Sequence, residues 1–502
     1  MSRRRRSAVA LVTLIGLIAS GAACSGSSGD EVLPGDDAEQ ADRPDKEVAV
    51  DDQPTSDGFE PAPLEFAGCG SGVECATLEV PLDYEEPDGE RMHLSLVRIP
   101  AGGPDSRIGA LLINPGGPGG SGVDFARSFR FADDIHDRFD VIGFDPRGVG
   151  ESGGLTCGGE LVDDFFGLDS DPDTPDEQTQ LEAAAEAIAS DCGTDHGDLL
   201  AHVGTDDVVR DMDTIRRALG EDQISYFGFS YGTLLGVRYA ELFPEGGRAI
   251  VLDGVVDPSH DFREWLTAQT RGFERAIAAV FAACEQDPSC PDGGAAAAYD
   301  QILARVEADP LPVDGSTRLG PGDLATAAIY ATYDPGAWSS LFAGLADGLD
   351  GDGSGLFSLA ESYRAFGGFT SYAAVVCVDS DHPTGAAEAR QFAVELEAIS
   401  PRFGPAIANE LLPCAFWPVP PVGDPQPVTA DGAPPVLVIG NTGDAATPFE
   451  QAQRVADTLA AGVLLTYEGE GHTSYGSSPC VDDAVAAYLV DLSLPAEDTV
   501  CT

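Results

Sequence analysis

The sequence predicts an α/β architecture: a mainly parallel sheet with helices on both faces and a mostly helical insertion. Three observations predict it. Between Ala110 and Asp253 short apolar strand runs alternate with helical stretches, the rhythm of parallel strands joined by crossover helices. Strand runs of the same kind return only at 434–440 and 462–467, after a middle third that lacks them. Gly228-Phe229-Ser230-Tyr231-Gly232 stands between a buried-strand run and a helical stretch. With 502 residues, 43% of them hydrophobic, the chain is long enough for one large domain with an insertion, or for two to three domains.

The amino terminus reads as an export signal, residues 1–23: a basic cluster from Arg3 to Arg6, an apolar run from Ala8 to Ile18 too short to span a bilayer, then small residues up to Cys24. Its end resembles a bacterial lipoprotein signal, which implies lipidation of Cys24 and a lipid anchor on the outer face of the cell membrane. Gly21 stands where that signal usually has leucine, so cleavage with full secretion is the alternative. Residues 24–63 are rich in Asp, Glu, Gly, Pro and Ser and cannot bury enough apolar surface to order themselves. They read as a disordered acidic tether.

Acidic residues outnumber basic ones 85 to 27, a formal charge of −58, which argues against nucleic acid as a partner and keeps an exported protein soluble. Of 11 cysteines, those after Cys24 are even in number, as expected of disulfides in an exported chain. Their order invites pairing of sequential neighbours, Cys69 with Cys75 through Cys480 with Cys501, although spacing alone does not fix the connectivity. No Cys-x-x-Cys pair or spaced histidine pair favours a metal, and no cofactor is expected.

Folded sequence is expected from Leu64. Residues 76–84 and 92–99 alternate like half-buried antiparallel strands. The runs 110–114 and 139–145 are stronger and end in Gly-rich loops. A helix over 206–219, the strand into Ser230, a helix after it and a strand over 248–253 complete the first part of the core, residues 64–256. Residues 257–428 read as a helical lid, and 429–502 return to the core. Ligands on such sheets bind beyond the carboxyl ends of the strands.

In a Gly-x-Ser-x-Gly turn the flanking glycines let the backbone bend sharply enough to lift the serine clear of the sheet. Ser230 is therefore the candidate nucleophile. A serine hydroxyl needs a base, and the base needs an acid to hold its tautomer. His472, in the loop after the last core strand run, is the candidate base; the other six histidines lie in a strand, in polar stretches or at the start of the lid. Asp444, in the loop after the preceding strand run, is the candidate acid, with Asp253 as its rival because it also ends a strand. The order Ser230, Asp444, His472 is that of the α/β-hydrolase triad. The amide of Tyr231 and one from the loop 114–120, with Gly117 the choice, would form the oxyanion hole. Without a Gly-Lys-Ser/Thr ending, that loop is not a phosphate cradle.

Taken together, Val80-Pro81-Leu82-Asp83-Tyr84, the stretch Asn114 to Gly122, Asp145-Pro146-Arg147-Gly148-Val149-Gly150-Glu151-Ser152, Gly228 to Gly232, Asp444 with Thr447-Pro448, and Gly471-His472 closely resemble the secreted tripeptidyl aminopeptidases of actinobacteria. These are α/β-hydrolase serine peptidases similar to prolyl iminopeptidases, with a characteristic C-terminal segment. The resemblance implies the same roles for Ser230, Asp444, His472, Gly117 and Tyr231, and release of short peptides, expected to be tripeptides, from free amino termini. An ammonium anchor is then required under the lid. Asp379, Asp257 and Glu264 are the candidate carboxylates. Two other functions remain open: an esterase or lipase acting on acyl esters, because the same triad cleaves both bonds, and a binding protein that keeps the fold without turnover.

Overall fold

A computed structural model describes residues 58–365 and 368–502. The export signal, Cys24 and most of the tether lie outside the described residues. The chain is already docked at Phe59, five positions before the expected start. The Arg91 guanidinium lies 4.5 Å from the Phe59 ring centroid, Arg217 donates to the Phe59 carbonyl at 2.8 Å, and Pro61 is buried.

The first three strands, β1 (Ala67–Gly70), β2 (Val73–Pro81) and β3 (Arg91–Ile99), form an antiparallel meander, with Leu78 facing Leu94 in register. β4 (Gly109–Asn114), β5 (Phe139–Phe144), β6 (Ile224–Phe229) and β7 (Gly247–Asp253) follow. After the insertion come β10 (Val436–Gly443), β11 (Gly462–Glu470) and β12 (Val500–Cys501), while β8 (Leu311–Pro312) and β9 (Arg318–Leu319) pair only with each other. The ten strands of the main sheet run in the order β1-β2-β3-β5-β4-β6-β7-β10-β11-β12, antiparallel as far as the β3–β5 pair and parallel from β5 onward. Every residue of β4 and β6 is buried, which explains their unbroken apolar runs: helices cover both faces. Burying each side chain as large as Phe227 favours folding by about 1.5–3 kcal/mol. All the parallel strands send their carboxyl ends to one edge.

Between β7 and β10 the chain is mostly helical: Phe262–Ala283, Ala295–Val306, Pro321–Tyr333, Trp338–Asp350, Ser354–Arg364, Phe369–Asp379, Ala386–Glu397 and Gly404–Glu410. A second insertion that sequence reading missed lies between β5 and β6, with helices Glu160–Gly167 and Pro175–Leu200. It joins the first by aromatic packing. Phe166 meets Phe369 edge-on at 4.9 Å, and the Arg364 guanidinium stands 5.7 Å from the Phe166 ring. Five disulfides join Cys69–Cys75, Cys157–Cys192, Cys284–Cys290, Cys377–Cys414 and Cys480–Cys501, the sequential-neighbour pairing.

Candidate active site

Ser230 follows the last residue of β6 and precedes the helix Tyr231–Leu242. Its backbone is at φ 55° and ψ −127°, a region L-residues rarely occupy, so the turn is strained and holds the side chain above the sheet edge. Close packing enforces the turn. A Cβ on Gly228 would lie 2.2 Å from the Gly232 carbonyl oxygen, so the strand and helix meet at a distance only glycine permits. The Tyr226 hydroxyl donates to that same carbonyl at 2.7 Å.

Asp444 and His472 arrive from neighbouring strand ends, one residue after β10 and two after β11. The His472 Nδ1 lies 2.9 Å and 2.8 Å from the two Asp444 carboxylate oxygens, a geometry that places a proton on Nδ1 and leaves Nε2 as the basic nitrogen. Nε2 is buried with no hydrogen-bond partner among the described residues, and the Ser230 hydroxyl is not bonded to it in this structure. Both side chains line one cavity. Free enzymes often hold this bond open until substrate closes it. Burial works to lower the His472 pKa, but the Asp444 carboxylate outweighs it and the net shift is upward. The Thr447 amide and hydroxyl fix Asp444 at 2.9 Å and 3.1 Å, and the His472 amide donates to the Tyr333 carbonyl at 2.9 Å.

Asp253, the rival acid, does not touch the imidazole. Its carboxylate accepts from the amides of Ser474 and Tyr475 at 2.8–3.0 Å and so pins the loop that carries His472. Burial pushes its pKa up to about 6.

The loop after β4 lies against the Ser230 turn. A Cβ on Gly116 would stand 2.4 Å from the Phe229 carbonyl oxygen and 2.9 Å from the Tyr231 nitrogen. Gly116 donates to the Asn114 side chain at 2.8 Å and Gly120 to the Gly116 carbonyl at 3.1 Å. The amides of Gly117 and Tyr231 have no such partner among the described residues, as donors awaiting an oxyanion would be.

The cavity over Ser230 has a volume of about 1520 Å³ and is roofed by the helical insertion. Of the three proposed ammonium anchors, Glu264 is exposed, caps its own helix through the Asp261 amide and does not line the cavity. Asp257 lines it but is already neutralised. Arg454 donates to it at 2.8 Å and Ser259 at 2.6 Å, and these contacts outweigh burial and lower its pKa. Asp379 lines the cavity with each oxygen held by Thr205, by the amide at 2.7 Å and the hydroxyl at 2.6 Å. That same hydroxyl lies 2.6 Å from the Tyr231 phenol, tying Asp379 to the residue after Ser230. Burial raises the Asp379 pKa to about 7. Sequence reading missed a fourth acid, Glu410, at the end of the helix Gly404–Glu410 in the cavity wall. Nothing in its local sequence distinguishes it from a surface helix residue.

Comparison with known proteins agrees with this geometry. A family model described as alpha/beta hydrolase fold matches residues 109–311, and one described as TAP-like protein matches residues 400–501. The serine protease Hip1 of Mycobacterium tuberculosis is 35% identical over 476 residues, covering 88% of this chain and 91% of that one. A protein of the same organism named carboxylesterase B is 37% identical, covering 86% of each chain. The tripeptidyl aminopeptidase of Streptomyces coelicolor is 34% identical, covering 86% of this chain and 83% of its own. The chain belongs to the α/β-hydrolase serine peptidases that carry a TAP-like C-terminal segment, the family of the actinobacterial tripeptidyl aminopeptidases.

Proposed function

We propose that this serine peptidase is exported and releases short peptides, tripeptides above all, from free amino termini through an acyl-enzyme on Ser230. One observation carries the choice of terminus. The arginines lining the cavity are already paired: Arg210 with Asp207 at 3.2 Å, Arg238 with Asp206 at 2.9 Å, and Arg364 with Asp323 at 2.9 Å. A substrate carboxylate would find no unpaired guanidinium among the described residues that line the cavity, whereas an ammonium group would find carboxylates. The cavity exceeds the roughly 300–1,000 Å³ of sites for drug-sized ligands. It has room for an extended three-residue acyl chain of about 10 Å.

In this reading His472 Nε2 takes the Ser230 proton as Oγ attacks the scissile carbonyl, and the amides of Tyr231 and Gly117 hold the oxyanion. His472 then returns the proton to the leaving amine, and a water molecule releases the acyl peptide by the same steps. Asp444 stabilises the imidazolium throughout. Export is supported by the Arg3 to Arg6 cluster and the apolar run ending at Cys24. Mass spectrometry of the mature protein tests it, and an unmodified cysteine would leave secretion without a lipid anchor.

A relative named as a carboxylesterase, together with the apolar wall of Phe125, Phe129, Phe229 and Tyr475 in the cavity, favours ester hydrolysis as the second reading. A matched set decides: a free-amino tripeptidyl amide, its N-acetylated form, a single-residue amide and a short-chain acyl ester, each with wild type and Ser230→Ala. Fast, Ser230-dependent turnover of the free tripeptide is expected, and preference for the ester would replace the peptidase reading.

A further inference from the structure

Glu410 differs from Asp206, Asp207, Asp257 and Asp379 of the same cavity in how its charge is met. Asp206, Asp207 and Asp257 are ion-paired to arginines, and Asp379 sits on the amino end of the helix Thr205–Leu219, where the helix dipole and two Thr205 donors offset its charge. Glu410 accepts one hydrogen bond, from the Tyr363 hydroxyl at 3.1 Å, and no arginine, lysine or histidine pairs with it among the described residues. Glu410 is half-buried and lines the cavity wall. When ionised, a carboxylate held in that way is uncompensated, and a cation entering the cavity would pair with it.

Its neighbours suit one. Tyr333, Tyr363 and Tyr372 line the same part of the wall and all feel the Glu410 charge. The Tyr333 and Tyr363 rings meet edge-on at 5.9 Å, and aromatic faces beside a carboxylate attract an ammonium group. Arg364, the next residue to Tyr363, is committed to Asp323 and Glu361. The place is also in line with the chemistry. Tyr333 packs edge-on against His472 at 5.3 Å, so two aromatic rings span the way from the base to the carboxylate.

We propose that Glu410, framed by Tyr333, Tyr363 and Tyr372, binds the free α-ammonium of the peptide and so sets how far from the amino terminus Ser230 cuts. The assignment rests on the aminopeptidase reading and replaces Asp379, Asp257 and Glu264 as the anchor. A neutral ligand end gains nothing from this carboxylate, so the site also disfavours blocked amino termini.

The test uses the mature protein and Glu410→Gln, with the tripeptidyl amide in free and N-acetylated forms. Labelling of Ser230 by a fluorophosphonate, which carries no ammonium, reports that each variant is folded. For the free amine kcat/KM should fall about 10- to 150-fold, chiefly through KM, and the preference for the free form should collapse. Glu410→Asp, which keeps the charge on a shorter arm, should retain that preference and covers the case of a Gln variant that does not fold. Undiminished preference in Glu410→Gln overturns Glu410 alone, and collapse in Asp379→Asn instead would move the anchor there. Equal turnover of both forms by wild type overturns the aminopeptidase reading and the assignment with it.

Discussion

The His472 imidazole faces both oxygens of the Asp444 carboxylate, with Nδ1 at 2.9 Å and 2.8 Å, while its Nε2 has no hydrogen-bond partner among the described residues. Two effects oppose each other there: burial favours the neutral imidazole, the carboxylate favours its cation, and the carboxylate wins. The base works only when neutral, so activity should rise with pH through a pKa above the ordinary histidine value. Asp444→Asn removes the larger attraction and leaves burial opposed only by the more distant Asp253 charge, so the acid limb of kcat should move to lower pH. The same change should cut kcat about 10⁴-fold by losing the correct tautomer. A pH–rate profile of the variant checks both.

Asp253 and Asp444 can be separated by size of effect. Among the described residues the Asp253 carboxylate accepts only from the amides that follow His472, so Asp253→Asn should loosen the loop and cost about 10-fold in kcat, close to one hydrogen bond. Its carboxyl is raised to about 6 by burial, well above an unfolded aspartate. Such an acid binds its proton more tightly in the folded state, so its contribution to stability is full at low pH and is lost as pH rises from about 4 to about 6. The variant should lack that loss, which urea unfolding at pH 4 and pH 7 would measure. A kcat loss equal to that of Asp444→Asn would make Asp253 the functional acid.

The oxyanion donors are backbone amides, so only their placement can be altered. In Gly116→Ala the new methyl would clash with the Phe229 carbonyl and push the loop away from Tyr231. We expect kcat to fall about 10²- to 10³-fold with KM little changed, since the lost contact is made only in the transition state. Single-turnover acylation rates would show it.

The disulfide Cys377–Cys414 spans 37 residues and ties the helix bearing Asp379 to the turn after Glu410. Opening it restores chain entropy to the unfolded state, so Cys377→Ser with Cys414→Ser should cost about 4 kcal/mol by the loop-closure estimate. Chemical denaturation of the variant measures this. Loss of the tie should also raise KM for the free-amino tripeptide.

Ser230, Asp444 and His472 were legible because each follows an apolar strand run, and a parallel sheet brings such ends to one edge. The helix Pro175–Leu200 was legible in principle. Thr174 and Glu177 form a capping box, and Leu181, Ala185, Ile188 and Cys192 recur at helical spacing, but acidic residues around them mask the pattern. Glu410 was not legible. Its character comes from its neighbours Tyr333, Tyr363 and Tyr372, which three other helices of the insertion supply, and from having no cation paired with it among the described residues. Asp379 drew attention through its neighbour Cys377, and Thr205, 174 residues away in the chain, turned out to occupy it. Short-range pattern reports where strands end, whereas pairing between insertions depends on packing that no local spacing encodes.

Glu410 also predicts how binding depends on pH. Burial pushes its carboxyl up to about 7, against a smaller opposing effect of the Tyr363 hydrogen bond. The other groups facing it, Tyr333, Tyr363 and Tyr372, have phenol pKa values raised by burial and stay neutral over the working range. Below about 7 the empty anchor is mostly protonated and attracts no cation, so KM for the free tripeptide should fall as pH rises toward 7. Above about 8 the peptide amine itself loses its proton, and KM should rise again. The minimum between the two should be absent for the N-acetylated peptide. It should vanish in Glu410→Gln, whereas the His472 limb of kcat should persist in both. KM and kcat measured from pH 5 to pH 9 would separate the two groups, since one governs binding and the other the chemical step. A KM minimum that survives in Glu410→Gln would place the titrating carboxylate elsewhere, with Asp379, raised to about 7 by its own burial, next in line.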